Sequence, residues 1–291
     1  MKTIQKTAIA LAASGLFATT AFAQTAPAAP EAPEASPVTA NVTVVNNYVY
    51  RGLTQSNFKP AIQGGFDYAH ESGLYIGNWN SSISWIGDGY GTSPAVSAPV
   101  EMDFYAGFKK ELIGEGFASD IGVLQYYYPT TGLPGMKLGK SPSFTNDRQV
   151  SGVNPSTTEA YVAQNFTFGP ITGFAKVSYA LTDLFGIYNS KGSYYPDLTV
   201  NYDTGFYGIT ANAHLGYQYV PNSYKYSGKD VSFSYTDWKL GLTKDFGGGL
   251  SGAVAYVGTT AASVAGSYVY GTPQSKNQGA AQYLVSLTKT F

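Results

Sequence analysis

Hydrophobic and polar residues alternate with a period of two along several segments of this chain. In the segment AIQGGFDY, Ile62, Phe66 and Tyr68 share one face, while Gln63 and Asp67 lie on the other. A period of two with one apolar and one polar face is typical of a β-strand between two different environments. Three further segments show the same pattern: NVTVVNNYVY at 41–50, VEMDFYAGF at 100–108 and FYGITANAHLGYQY at 206–219.

The pattern predicts about twelve strands of about ten residues each, the length with which a tilted strand crosses a bilayer. The predicted strands start near residues 41, 60, 74, 100, 117, 157, 171, 194, 206, 236, 250 and 280. Short connections follow the even-numbered strands, near 70, 168, 203 and 247. Long polar loops follow the odd-numbered strands, at roughly 85–99, 129–155, 182–193, 220–234 and 259–279. A soluble sandwich also alternates along its strands, but it has no reason to separate its loops by length.

These observations predict an all-β fold, a transmembrane antiparallel β-barrel with short periplasmic turns and long extracellular loops. Composition supports this prediction, because aromatic residues (15%) outnumber charged ones (12%). Aromatic residues fall near both ends of the predicted strands, as expected for girdles at the two membrane interfaces. The predicted outer girdle includes Tyr48, Tyr50, Trp79, Tyr126 to Tyr128, Tyr217, Tyr219 and Tyr256.

The first 23 residues have the three parts of a secretory signal peptide. Lys2 and Lys6 form the positive start, an Ala-rich apolar stretch follows, and Ala21-Phe22-Ala23 is the cleavage site. The alternative, a membrane anchor, is disfavoured because the apolar stretch is short. Residues 24–40 are rich in Pro, Ala and Glu and predict a disordered spacer, which leaves 41–291 as one barrel domain. The sequence therefore predicts export to the outer membrane of a Gram-negative bacterium.

The charge balance and the absence of cysteine exclude several classes of protein. Loss of the two lysines of the signal peptide leaves 15 basic and 18 acidic residues, a net charge of about −3, so no nucleic-acid partner is expected. Without Cys, the chain carries no disulfide and no lipid on cysteine.

The last strand ends on an aromatic residue. It resembles the signal that the barrel-assembly machinery reads in outer-membrane barrels, with alternating Tyr283, Val285 and Leu287 and a terminal Phe291. Lys289 departs from that signal, because an apolar residue is common there. An even number of strands would place both ends of the chain in the periplasm, and pairing of the last strand with the first would remove the sheet edge.

Residues 41–79 resemble the opening of the TorF-type porin family. The resemblance lies in Tyr50-Arg51-Gly52, Gln55, Pro60-Ala61 and Gln63-Gly64-Gly65, while Asn46-Asn47 departs from the family pattern. Later blocks, EMDFYAGFKK, LQYYYP and YTDWKLGLTKDF, extend the resemblance over the barrel. The resemblance implies a small outer-membrane channel in contact with lipid, through which small hydrophilic solutes pass. It leaves open whether barrels associate into homo-oligomers.

The polar faces of the strands give a predicted pore lining with charges of both signs. Acidic groups are in a modest majority, which predicts a weak preference for cations. In the alternative, a plugged lumen, these groups pair with one another, for example Arg51 with Asp67. The predicted lining residues are Arg51, Asp67, Glu101, Asp103, Glu159, Lys176, His214, Asp237 and Lys239.

An enzyme and a structural or adhesive barrel are the competing classes. The chain has two His, of which His70 lies in a predicted turn and His214 lies mid-strand without an obvious Ser to activate. We therefore predict no catalytic residue, no metal site and no cofactor. Glu101 and Asp103 share a face and have the chemistry to bind a cation, but the sequence favours simple lining. The long loops are rich in Tyr, Ser and Gly, a composition suited to binding partners in a structural or adhesive barrel. Their sequence does not specify a partner.

Overall fold

The computed structural model describes residues 36–90, 96–132, 154–226, 229–264, 266–272 and 274–291. Twelve long strands form the barrel, and we number them in chain order. They are β1 Val38–Val45, β2 Ala61–Ala69, β3 Leu74–Ser82, β4 Val100–Gly114, β5 Phe117–Tyr127, β6 Thr157–Phe168, β7 Ile171–Ala180, β8 Tyr194–Asp203, β9 Ile209–Gln218, β10 Tyr235–Gly247, β11 Leu250–Thr259 and β12 Gln282–Thr290.

Each strand pairs antiparallel with the next, and β1 pairs with both β2 and β12, so the sheet is closed. In the closing pairs, Asn41 lies opposite Thr290 on one side and Gly65 on the other. Closure satisfies the backbone groups of every strand and leaves no open sheet edge. The predicted all-β, twelve-strand antiparallel barrel is confirmed.

Connection lengths alternate around the barrel as the sequence predicts. The short connections are 70–73, 115–116, 169–170, 204–208 and 248–249, and the long ones are 46–60, 83–99, 128–156, 181–193, 219–234 and 260–281. The described parts of the long connections contain one helix, α1 (Trp85–Tyr90), and three short hairpins. In the described part of the chain, no helix has the length and apolar character needed to cross a membrane.

The first strand is shorter than predicted. It begins at Val38, inside the predicted spacer, and ends at Val45 instead of continuing to Tyr50. Val49–Tyr50 pairs with Leu53–Thr54 in a two-residue hairpin instead. Arg51 (φ 44°) and Gly52 (φ 74°) make the turn, a left-handed conformation that a strand cannot contain. The predicted signal peptide and most of the spacer lie outside the described residues.

The outer wall of the barrel carries an apolar belt. On β1, for example, Val42 and Val44 are exposed on the outer face, whereas Thr43 and Val45 are buried inside. The same alternation holds on each strand, so the wall presents aliphatic and aromatic side chains. Members of the belt include Ile62, Phe66, Leu74, Ile76, Phe104, Ile121, Val123, Val162, Val177, Leu198, Leu215, Leu240, Leu242, Val254, Val285 and Leu287.

Part of the predicted outer girdle is wrong. Tyr48, Trp79, Tyr126 and Tyr128 are buried in the interior, where Tyr48 packs edge-on against Trp79 with ring centroids 5.5 Å apart. Trp79 and Tyr126 lie on the inward face of their strands, and Tyr48 and Tyr128 lie just beyond strand ends in loops that turn inward. The outer face does carry Tyr127, Tyr217 and Tyr256 near the long loops, and Phe66, Tyr68, Phe168, Tyr202 and Phe246 near the short turns.

A hydrophobic cluster fills the barrel at the end where the long loops meet. The cluster joins residues from all six long connections to side chains on the inward faces of the strands. In it, Trp85 of α1 packs edge-on against Tyr128 at 5.6 Å. Tyr270 donates a hydrogen bond to the Phe233 carbonyl at 2.5 Å. The loops therefore cover the interior of the barrel at this end instead of extending freely away from it.

Candidate functional site

The candidate site is the interior of the barrel, into which the loop 46–60 folds. Tyr48 at the start of this loop donates a hydrogen bond to Glu101 Oε1 on β4 at 2.6 Å. The hydroxyl of Tyr235 on β10 donates to the Arg51 carbonyl at 2.8 Å. Within the loop, Asn47 Oδ1 accepts hydrogen bonds from Thr54 (2.6 Å) and Ser56 (2.9 Å). These contacts hold the loop across the interior, from one wall to the other.

The tip of the loop 46–60 forms a buried ion pair with the barrel wall. Arg51 donates two hydrogen bonds to Glu159 on β6, Nη1 to Oε1 at 3.0 Å and Nη2 to Oε2 at 2.7 Å. Arg51 Nη1 also donates to Gln218 Oε1 at 2.7 Å, and its guanidinium lies 4.2 Å from the ring centroid of Tyr195. Two parallel bonds of this kind fix the orientation of the guanidinium as well as its position.

The suggested partner of Arg51 was wrong. The carboxylate that pairs with Arg51 is Glu159, and Asp67 instead accepts a hydrogen bond from Tyr105. Asp67 lies on β2 towards the short turns, whereas Arg51 lies on a loop that meets β6, β8 and β9. Counting alternate positions along a strand assigns a face, but it does not say which strand an inserted loop will contact.

Two further acidic side chains lie beside this ion pair, on the inward face of β4. Glu101 accepts hydrogen bonds from Tyr48 and, through Oε2, from Tyr128 at 2.8 Å. Asp103, two residues further on, is 0% exposed. Neither of its carboxylate oxygens has a hydrogen-bond partner among the described residues.

A second charged cluster surrounds His214 on β9. Its Nδ1 lies 3.0 Å from Asp197 Oδ1 on β8, and its Nε2 lies 2.9 Å from Asp237 Oδ1 on β10. Tyr195 donates to the same Asp237 carboxylate at 2.9 Å. Lys239 follows two positions after Asp237 on the inward face. The imidazole therefore bridges two strands through two carboxylates.

A third group of polar side chains lies nearer the short turns. Tyr75 donates to Asp120 Oδ1 at 2.6 Å and shares a hydrogen bond with Tyr161. Lys109 donates to Asn165 Oδ1 at 3.3 Å. Lys176 on β7 lies 5.4 Å from the ring centroid of Phe174.

All nine sequence-predicted lining residues lie on the barrel interior, eight on strands and Arg51 on the inserted loop. Their role in lining a pore stays a prediction.

The sequence analysis did not identify Asp120, Asp197 and Lys109, which also face the interior of the barrel. Strand alternation could have found them, because Asp120 falls on the same face as Leu124 and Tyr126. With these additions, the described inward-facing residues of the barrel interior include seven carboxylates and four Lys and Arg: Asp67, Glu101, Asp103, Asp120, Glu159, Asp197 and Asp237, and Arg51, Lys109, Lys176 and Lys239.

Three residues of the predicted assembly signal lie on the outer face of β12, and the fourth, Phe291, directly follows the strand. Tyr283 is 75% exposed and Phe291 is 72% exposed, and Val285 and Leu287 are exposed between them. The Phe291 N–H donates to the Ala40 carbonyl at 2.8 Å, so the last residue pairs with β1. Recognition by the assembly machinery stays a prediction.

In the described parts of the chain, no three His, Cys, Asp or Glu side chains are grouped so as to hold a metal ion. The arrangement is therefore one of hydrogen-bonded tyrosines, carboxylates and cations around an inserted loop. Such an interior can present fixed charges to solutes that enter it, or can hold the barrel closed.

Comparison with known proteins gives a family and a fold. Residues 28–291 match the model of a family described as bacterial protein of unknown function (Gcw_chp). No curated protein matches the sequence. The solved structure of the NanC porin is similar at a TM-score of 0.51 with 10% identity, over 87% of this chain and 98% of that chain. This likeness shows that the chain has the fold of an outer-membrane porin.

Two further structures are similar at lower scores. One is the KdgM porin, solved in complex with disordered oligogalacturonate, at 6% identity and a TM-score of 0.49 over 87% of this chain and 98% of that chain. The other is an outer membrane channel from Pseudomonas putida, at 13% identity and a TM-score of 0.46 over 92% of this chain and 100% of that chain.

Proposed function

We propose that this chain, which belongs to the Gcw_chp family of bacterial proteins of unknown function, is a porin-like channel of the Gram-negative outer membrane. In this proposal it lets small hydrophilic solutes or ions diffuse passively along their own gradient. The observation that carries the proposal is a closed barrel of porin fold with an apolar outer wall and an ionisable interior. The resemblance of residues 41–79 to TorF-type porins supports the same assignment.

The excess of carboxylates in the interior supports a weak preference for cations. Fixed charges along a water-filled path attract counter-ions and repel ions of the same sign. Arg51 and Glu159 offset one another, whereas Asp67 and Asp120 accept hydrogen bonds from neutral tyrosine hydroxyls. We therefore expect a reversal potential of the cation-selective sign in a salt gradient.

The test is single-channel conductance of the refolded protein, without residues 1–23, in a planar bilayer with a salt gradient. Discrete current steps are expected, with small conductance because the loop 46–60 narrows the interior. The double variant Glu101→Lys, Asp103→Lys should move the reversal potential towards anions. Glu111→Lys on the same strand is the control, because Glu111 is exposed near a short turn. A folded barrel that carries no current contradicts the channel proposal.

A closed structural or adhesive barrel is the second candidate function. It is favoured by the buried loop 46–60 and by the hydrophobic cluster that fills the long-loop end. The same recording distinguishes the two candidates. If the wild type is silent and Arg51→Ala conducts, the loop is a plug and the native barrel is closed.

Assembly and association are further parts of the proposal. The β12 residues that resemble the assembly signal would bring the chain to the barrel-assembly machinery, and deletion of Phe291 should reduce its insertion into the outer membrane. The apolar belt would contact outer-membrane lipid. Association into homo-oligomers is testable from the mass of the protein in detergent.

A further inference from the structure

Asp103 is an ionisable side chain without a described hydrogen-bond partner. Its residue is fully buried, and both carboxylate oxygens lack a hydrogen bond. No Lys, Arg or His of the described residues lies within 4 Å of it. Every other interior carboxylate considered above accepts at least one hydrogen bond from a tyrosine, arginine, histidine or threonine.

Two further carboxyl groups, those of Glu101 and Glu159, lie near Asp103. Glu101 lies two residues away on the same inward face. Glu159 lies across β5, but Arg51 already offsets its charge. The carboxyl groups of Glu101 and Asp103 therefore share one buried region, in which Glu101 accepts hydrogen bonds from Tyr48 and Tyr128.

An unpaired buried carboxylate is a costly arrangement. Transfer of an isolated carboxylate out of water is so unfavourable that the group either finds a positive partner or takes up a proton. A proton would remove the charge of Asp103, but neither oxygen has a described hydrogen-bond partner that could accept from the resulting O–H group. A bound cation satisfies both oxygens at once.

We propose that Asp103, together with Glu101, binds one hard divalent cation of the calcium type inside the barrel. Oxygen is the donor available from these side chains and from the tyrosines nearby, and hard cations prefer oxygen ligands. Two carboxylates balance the charge of one divalent ion. Since the described residues offer no group of three acidic or histidine ligands, water and neutral oxygens complete the coordination. We expect a dissociation constant on the order of 10⁻⁴ to 10⁻³ M, as in sites with few charged ligands.

The test is Tb³⁺ luminescence of the refolded protein in detergent, excited through nearby tyrosine and tryptophan. Tb³⁺ substitutes for Ca²⁺ at oxygen sites, and Tyr48, Tyr128 and Trp79 lie around the site. We expect a saturable signal that Ca²⁺ displaces and K⁺ does not. Asp103→Asn should abolish this saturable component, and Glu111→Gln, on the exposed end of β4, should retain it.

A second measurement keeps the proposal falsifiable if Asp103→Asn fails to fold. Ca²⁺ should raise the urea midpoint of the wild type relative to the same protein in a chelator. The proposal is overturned if the wild type gives no saturable signal, if Asp103→Asn keeps it, or if Ca²⁺ leaves the midpoint unchanged. These measurements need no current, so they stand apart from the test of conduction.

Discussion

Tyr48 and Tyr105 each donate a hydrogen bond to a carboxylate inside the barrel, yet the two acceptors lie in different surroundings. Glu101, the acceptor of Tyr48, is 2% exposed beneath the inserted loop. Asp67, the acceptor of Tyr105, is only partly buried and lies nearer the short turns. The interior therefore has two regions, a dry one under the loop 46–60 and a wetter one towards the short turns.

The loss of a hydrogen bond therefore has different consequences for stability in the two regions. In the dry region an unmade hydrogen bond leaves a desolvated charge, whereas in the wetter region water can replace the lost partner. Mutations in the dry region should therefore cost more stability than matched mutations elsewhere. The loop 46–60 creates the dry region, so changes that displace the loop should also change access to the interior.

The largest expected effect follows from breaking the buried ion pair of the loop tip. Arg51→Ala leaves Glu159 as a buried charge without its cation, which should cost about 3–5 kcal/mol in the free energy of unfolding. Urea unfolding in detergent, followed by tryptophan fluorescence, measures it. The control is Lys59→Ala in the same loop, whose exposed pair with Asp88 is worth about 0–1 kcal/mol. Equal losses in the two variants would contradict the description of a dry region.

The next largest loss of stability is expected from replacing Gly52, at the tip of the loop 46–60, with alanine. At Gly52 (φ 74°), an added Cβ would contact Thr259 Cγ2 and come within 2.7 Å of Asp237 Cβ. Gly52→Ala should therefore combine the strain of a left-handed alanine, about 1–2 kcal/mol, with overpacking of about 1–3 kcal/mol.

Gly205 provides the matched control for Gly52. It lies in a short turn with φ 66° and has no atom within 4 Å of an added Cβ. Gly205→Ala should show the strain alone, at about 1–2 kcal/mol. Thermal unfolding of the two variants measures the difference, and a Gly52 variant as stable as the Gly205 variant would mean that the loop moves freely.

The barrel itself was predictable from the sequence because its signals are local and repeated. Each strand shows its own alternation, and each connection shows its own length, so all twelve predicted starts fall within three residues of the observed ones. The error at Tyr48 has a specific cause. Val42, Val44, Tyr48 and Tyr50 continue the alternation past the strand end, and the side-chain hydrogen bonds of Asn47 that end the strand leave no trace in that pattern.

The contacts inside the barrel were less predictable than its wall. Alternation places Glu159 and Asp103 on the inward face, but it does not distinguish the carboxylate that meets Arg51 from the one that meets no cation. That distinction depends on where an inserted loop lies across the barrel. Such contacts join residues more than 100 positions apart, as Arg51 and Gln218 do, and a periodic pattern contains no information about them.

A smaller effect is expected from removing single tyrosine hydroxyls. Tyr48→Phe leaves Glu101 with one donor fewer in the dry region and should cost about 2–3 kcal/mol, the upper part of the range for an unsatisfied buried group. Tyr105→Phe should cost about 1 kcal/mol, because water can solvate Asp67. The shift in urea midpoint at constant slope measures both. A larger loss for Tyr105→Phe would reverse the order of the two regions.

The smallest effect on stability is expected at Asp88 in α1, which contacts Asn57 and Lys59 of the loop 46–60. Burial alone would raise the pKa of Asp88, but hydrogen bonds from Asn57 and Lys59 outweigh it and hold that pKa below the ordinary 3.8. A lowered folded-state pKa contributes stability that is present above the ordinary value and is lost as pH falls through the folded value. Because Asp88 is partly exposed and its cationic partner Lys59 is exposed, the contribution should stay below about 1 kcal/mol. The difference in urea midpoint between wild type and Asp88→Asn should therefore shrink as pH falls from neutral to below the ordinary value. A difference that does not change with pH would show that the carboxylate charge of Asp88 adds nothing to the anchoring of the loop.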